Sequence, residues 1–216
     1  MLLEPEDLML FDGDSLTSRR RGGSMDTWPY LRMMNWHQTW ADEVERLLFA
    51  LRPELDLRFR NAAISGSASI DLLEKFDHAV RPYSPDWVIL TCGGNDLNRG
   101  IDLDDFRRNL SEYSRAVTEE CDGRMAFLAC WVPCPGAPEH KAEAYPRRAE
   151  YYGVLRELAE EFDGLYIDAC PAMEEKAELL YEQSEAHTVY SDGGHFNELG
   201  NLIIAGEVLK AFGFSF

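Results

Sequence analysis

Apolar positions along the chain fall into two alternating patterns. Short, nearly continuous apolar runs occupy residues 8–11, 55–63, 87–92, 125–131 and 165–169, and each leads into a loop carrying Gly, Pro, Asn or Asp. Runs of this length bounded by turn residues predict strands. Between them the apolar residues recur at helical spacing: Trp40, Val44, Leu47, Leu48 and Leu51; Ile70, Leu73, Phe76 and Val80; Phe106, Leu110, Tyr113 and Val117; Tyr152, Leu155, Leu158 and Phe162. That spacing lays one apolar stripe along each helix. A last helix is expected from Glu198, with Asn197 as its N-cap and Leu202, Ile203, Ala205, Val208 and Leu209 turned inward. Strict alternation of strand and helix predicts right-handed crossovers and a parallel sheet covered by helices on both faces. The stretch VPCPGAPEHKAEAYP, residues 132–146, reads as a long loop after the fourth strand and as a candidate wall of a site.

Composition narrows the picture. A chain of 216 residues suits one domain over residues 1–216, and a hydrophobic content of 45% excludes a disordered chain. With 39 acidic against 21 basic side chains, the summed field repels nucleic acid and anionic membrane surfaces, so neutral partners are favoured. The opening MLLEPEDLML is acidic, unlike a secretory signal, and no later segment is apolar enough to span a bilayer. A soluble, cytoplasmic protein is expected. Five scattered cysteines form no CxxC pair, which points to reduced core thiols rather than a disulfide framework or a zinc site.

In an open parallel sheet, ligands bind beyond the carboxyl ends of the strands. Ser15, Gly66 and Asn95 follow the first, second and third predicted strands, and His195 lies in the loop before the last helix. Topology would bring all four to one edge. A serine hydroxyl becomes a nucleophile when a base takes its proton, and the base works best when a carboxylate orients it. YSDGGHFNELG supplies both, with Asp192 three residues before His195. The N–H groups of Ser15 and Gly66 and the amide of Asn95 are candidate donors to an oxyanion.

Four blocks carry a resemblance. GDSL at 13–16, NAAISG at 61–66, GGND at 93–96 and DGGH at 192–195 resemble, in order, the four blocks of the SGNH (GDSL-type) hydrolases. The resemblance implies a three-layer α/β/α, flavodoxin-like fold with five parallel strands, and hydrolysis of esters or thioesters with neither metal nor cofactor. By position, Ser15 would be the nucleophile, His195 the base and Asp192 its orienting carboxylate. Ser15, Gly66 and Asn95 would form the oxyanion hole. The chain departs from the family at Ala63, where Gly is frequent, and at Phe196, where Pro often follows the histidine.

The other candidates have plainer readings. His37, His78, His140 and His187 read as surface or satisfied histidines, Cys92 as a buried thiol and Trp40 as core. Asp14 and Asp96 read as loop braces. Trp28, Trp36 and Trp131 either line a substrate cleft or pack. Residues 17–36, rich in Arg, Gly and aromatics, resemble the corresponding segment of SGNH esterases acting on acylated carbohydrates, and the substrate expected is a small-molecule or carbohydrate ester, with acetyl as the acyl group. Arg19, Arg20 and Arg21 are candidates to bind an acidic or polyhydroxylated substrate, against the alternative of simple charge balance. A thioesterase or lysophospholipase of the same fold is the alternative function, followed by a non-catalytic binding module. A nucleotide-binding protein is disfavoured because GxGxxG and P-loop motifs are missing.

Overall fold

The structure is a computed structural model and describes residues 2–18, 38–192 and 194–215, with Asp192 described by its backbone only. Five strands form one sheet: β1 (Leu8–Gly13), β2 (Arg58–Asn61), β3 (Trp87–Thr91), β4 (Arg124–Ala129) and β5 (Leu165–Asp168). The order is β2-β1-β3-β4-β5 and every neighbouring pair is parallel. This is the fold class expected. β3 is buried throughout, as a strand covered on both faces must be.

Right-handed crossovers decide which helix covers which face. The chain moves from β1 outward to β2 and then back past β1 to β3, so the first crossover helix and the later ones take opposite faces. Accordingly α1 (Trp40–Leu51) packs with the last helix, α7 (Glu198–Ala211), which also meets α6 (Cys170–Gln183). The other face carries α2 (Ser69–Ala79) against α4 (Leu103–Arg115), and α4 against α5 (Glu139–Glu161). A short helix, α3 (Gly94–Arg99), precedes α4, and a small antiparallel hairpin, β6 (Tyr190–Asp192) and β7 (His195–Phe196), precedes α7. The buried apolar residues form one cluster.

Successive residues of β1 show the two faces. Phe11 meets Trp40 of α1 edge to face, with ring centroids 5.4 Å apart. Asp12 points the other way and is fully buried: Lys75 of α2 donates to its Oδ1, and Tyr113 of α4 donates to its Oδ2 at 2.8 Å. Lys75 also donates to the Ala62 carbonyl at 2.6 Å. One buried ion pair thus ties the ends of β1 and β2 together directly below the GDSL turn. Gly13 closes the strand at φ +139°, where a Cβ would overlap the Thr91 carbonyl of β3.

Several local expectations are corrected. Residues 132–146 are not all loop: the helix α5 begins at Glu139 and runs through Pro146. The inward row of α2 is Ser69, Leu72, Phe76 and Ala79, leaving Ile70 and Leu73 half-buried. In α7 Ile204 is buried and Leu202 faces solvent, and Leu51 at the end of α1 is likewise exposed. The helix α6 had no predicted counterpart, because its buried residues Cys170, Met173 and Ala177 are few and small.

Candidate active site

β1 is where the chain reverses its order of strands, with β2 on one side and β3 on the other. A crevice opens at such a switch point. Ser15 sits in the turn after β1, Gly66 in the turn after β2, and Asn95 in the first turn of α3 after β3. His195 arrives from the opposite end of the chain on β7, and its Nε2 lies 2.9 Å from Ser15 Oγ.

Each partner is held by a local device. Asp14 is buried and braces the turn that carries Ser15: its Oδ1 accepts from Leu16 N at 2.9 Å, and its carbonyl accepts from Ser18 N at 2.9 Å. Burial raises the Asp14 carboxyl above the usual carboxylate range, opposed by the Leu16 N–H and by the charge of Arg148. Asp96 plays the equivalent part at α3, its Oδ1 accepting from Ser69 N at 2.8 Å. Both aspartates therefore act as the loop braces expected.

The hairpin positions His195. Asp192 and His195 are paired across β6 and β7, which sets their backbones side by side. Phe196, where the family often has proline, is buried and stacks on Tyr190 at 5.7 Å. Tyr190 in turn donates to the Val132 carbonyl at 2.6 Å. Asn197 caps α7 by accepting from Gly200 N and donates to the Thr188 carbonyl at 2.6 Å. His195 is thereby fastened to the segment that follows β4.

The turns after β1, β2 and β3 each carry one of the expected donors. Among the described residues the N–H groups of Ser15 and Gly66 have no hydrogen-bond partner, and Gly66 adopts φ +86° in an exposed turn. Asn95 Nδ2 donates to the Ser67 carbonyl at 2.9 Å and, across a longer 3.4 Å, to Asp14 Oδ2. The second contact is the weak one, so that amide hydrogen is the one most easily turned to a ligand.

Beside the pair lies a cavity of about 90 Å³ lined by Ser15, Asn95, His195, Trp131, Lys141 and Arg148 among others. Trp131, at a strand end as expected, lines it while being almost wholly buried. Lys141 and Arg148 were not anticipated. Reading residues 139–146 as loop hid that Lys141, Ala144 and Arg148 stand at i, i+3 and i+7 on one face of α5; that spacing was the available signal. The wall of the site is a helix. Arg19, Arg20, Arg21, Trp28, Trp36 and His37 lie outside the described residues. Cys92 is buried and its thiol is pushed well above its ordinary range by that burial, which keeps it protonated and unreactive. His187 is exposed in the chain before β6.

Residues 11–203 match the GDSL-like lipase/acylhydrolase family. The chain belongs to that family. It is a serine ester hydrolase of the α/β class. An acetylxylan esterase from Geobacillus stearothermophilus is 28% identical over 213 residues, covering 95% of this chain and 94% of that protein. The crystal structure of an acetylxylan esterase from the same organism matches with a TM-score of 0.77 at 25% identity, covering 100% of this chain and 98% of that one. A catalytic mutant of that esterase, with an aspartate replaced by alanine, matches with a TM-score of 0.78 at 25% identity over the same shares of the two chains. In this GDSL-family hydrolase the four sequence blocks all lie on the edge of the sheet where β1 and β3 end.

Proposed function

We propose that the protein is an acetylesterase acting on acetylated carbohydrates through an acyl-enzyme on Ser15. The observation that carries this is the hydrogen-bonded pair of Ser15 Oγ and His195 Nε2 beside a cavity of about 90 Å³. A cavity of that size accommodates a two-carbon acyl group. The acetylxylan esterase relative supports the carbohydrate part.

His195 Nε2 accepts the serine proton as Oγ attacks the ester carbonyl, and Asp192 holds the imidazole in the tautomer that leaves Nε2 free. The developing oxyanion is met by the N–H groups of Ser15 and Gly66 and by the Asn95 amide, whose weak contact with Asp14 is exchanged for it. His195 then returns the proton to the departing sugar oxygen. Water, activated by the same imidazole, releases acetate in the second half. The five cysteines are free and buried, which supports a cytoplasmic location. Among the described residues no helix is long and apolar enough to cross a membrane.

The test compares turnover of acetylated xylo-oligosaccharides and of 4-nitrophenyl esters of increasing chain length. Acetyl is expected to be preferred to octanoyl, with a Ser15-acetyl adduct trapped by mass spectrometry. Faster hydrolysis of long-chain esters or acyl thioesters would instead assign the thioesterase or lysophospholipase activity.

A further inference from the structure

Arg148 is the most unusual side chain of the cavity. Its Nε donates to the Tyr152 hydroxyl at 3.1 Å, and its guanidinium lies over the Trp131 ring at 4.9 Å from the centroid. Tyr152 is itself fixed, accepting from Trp131 N at 3.1 Å, so the arginine is held in place from behind. In front it lies flat against Gly94, the residue before Asn95: a Cβ there would stand 2.9, 3.1 and 3.2 Å from Nη1, Cζ and Nη2. Glycine at that position lets a guanidinium reach the oxyanion side of the cavity.

Its two terminal amino groups have no hydrogen-bond partner among the described residues, and no carboxylate there lies within ion-pair distance of it. In a chain of net charge -18, where most described arginines pair with Asp or Glu, this one is kept apart from them. Asp14 is near enough to feel its charge, yet the Asp14 oxygens are directed to Leu16 N and Asn95. A half-buried, preoriented fork with both arms open matches a carboxylate in geometry and charge. Lys141 lines the same cavity from two turns earlier on α5.

We propose that Arg148 is a specificity-determining residue that holds a carboxylate carried by the substrate beside the scissile ester. Building on the acetylesterase reading, the favoured substrate is an acetylated sugar of the uronic-acid type rather than a neutral one. Arg148 takes no part in bond making. Its role is to fix the acid group while Ser15 and His195 act on the ester.

The experiment uses a matched pair: an O-acetylated hexuronic acid glycoside and the same compound with its carboxylate capped as the carboxamide. A third substrate, the hemisuccinyl ester of a neutral sugar beside its acetyl ester, places the carboxylate on the acyl side instead. Wild-type enzyme is expected to favour the free uronate over the carboxamide by about tenfold in kcat/KM, chiefly through KM, as one charge-assisted pair supplies. Raised salt should narrow the ratio. Arg148→Gln should bring it close to one, and Arg148→Lys should retain part of it. If the Gln variant does not fold, the Lys variant together with competitive inhibition of wild type by free hexuronate, but not by the neutral hexose, carries the same information. Equal kcat/KM for the matched pair in wild type, or an unaltered ratio in folded Arg148→Gln, overturns the proposal alone. A preference for the hemisuccinyl ester that Arg148→Gln abolishes keeps the carboxylate site but moves it to the acyl side. Turnover of 4-nitrophenyl acetate with no turnover of any sugar ester overturns the carbohydrate reading and this proposal together.

Discussion

His195 Nε2 and Ser15 Oγ stand 2.9 Å apart although 180 residues separate them in the chain. One is delivered by the first strand of the sheet and the other by a hairpin that never joins it. Replacing Ser15 by Ala removes the proposed nucleophile and little else. The variant should keep its circular dichroism and thermal transition while hydrolysis of 4-nitrophenyl acetate falls to background. A folded Ser15→Ala protein retaining most of its activity would end the acyl-enzyme mechanism.

Asn95 is proposed to act through one amide hydrogen whose resting contact, to Asp14 Oδ2, is 3.4 Å long. In the proposed mechanism that contact is exchanged for a stronger one to the oxyanion. Asn95→Ala should therefore lower kcat on the order of 10²- to 10³-fold with KM changing little. Steady-state kinetics on a soluble acetyl ester gives the answer, and an effect confined to KM would place Asn95 in ground-state binding instead.

In the proposed mechanism Asp192 orients the His195 imidazole, so Asp192→Asn should lower kcat on the order of 10³- to 10⁴-fold at pH 7. Steady-state kinetics of both proteins at that pH, with melting curves to confirm folding, checks this. Near-normal turnover in Asp192→Asn would remove the aspartate from the catalytic set.

Asp96 is buried, and its Oδ2 has no hydrogen-bond partner. Burial raises its carboxyl above the usual range. Because the folded state then holds the proton more tightly than the unfolded chain does, this group favours folding at low pH, and that contribution is lost as pH rises through the ordinary carboxylate range toward the raised value. Asp96→Asn keeps the acceptor for Ser69 N and cannot ionise. The melting temperature of the variant relative to wild type should thus increase between about pH 4 and pH 7. A difference that stays flat, or falls, across that interval would contradict the assignment.

Lys75 supplies the cation for Asp12, and both are buried or nearly so, with side-chain exposures of 12% and 0%. Lys75→Met fills the same space but leaves the carboxylate uncompensated, for a loss of about 3–5 kcal/mol of stability. Urea unfolding should show the midpoint falling with an unchanged slope. Since Asp12 precedes the Ser15 turn, activity at temperatures where the variant remains folded reports how far the ion pair also positions the nucleophile.

Much of this protein is written locally. Apolar runs at the five strands and helical spacing between them determine an alternating α/β chain, because a buried parallel strand and an amphipathic crossover helix each leave a periodic signature. The GDSL, GGND and DGGH blocks stand at strand ends or in a tight hairpin, so their chemistry and their edge of the sheet could be read from residue types alone. The α5 wall was not legible in that way. Its first turns carry proline, alanine and charge in place of an apolar stripe, since they cover a cavity and not the core, and Pro146 reads as a break although the surrounding helix accommodates it. The contacts of Arg148 are equally tertiary: they depend on Trp131 after β4, Tyr152 one turn along and Gly94 after β3 meeting at one point. The buried Asp12–Lys75 pair is of the same kind, drawn from two elements 63 residues apart. Periodicity records which side of an element is apolar, whereas a pairing between polar groups from different elements is set only when the sheet order and the handedness of its crossovers bring them together.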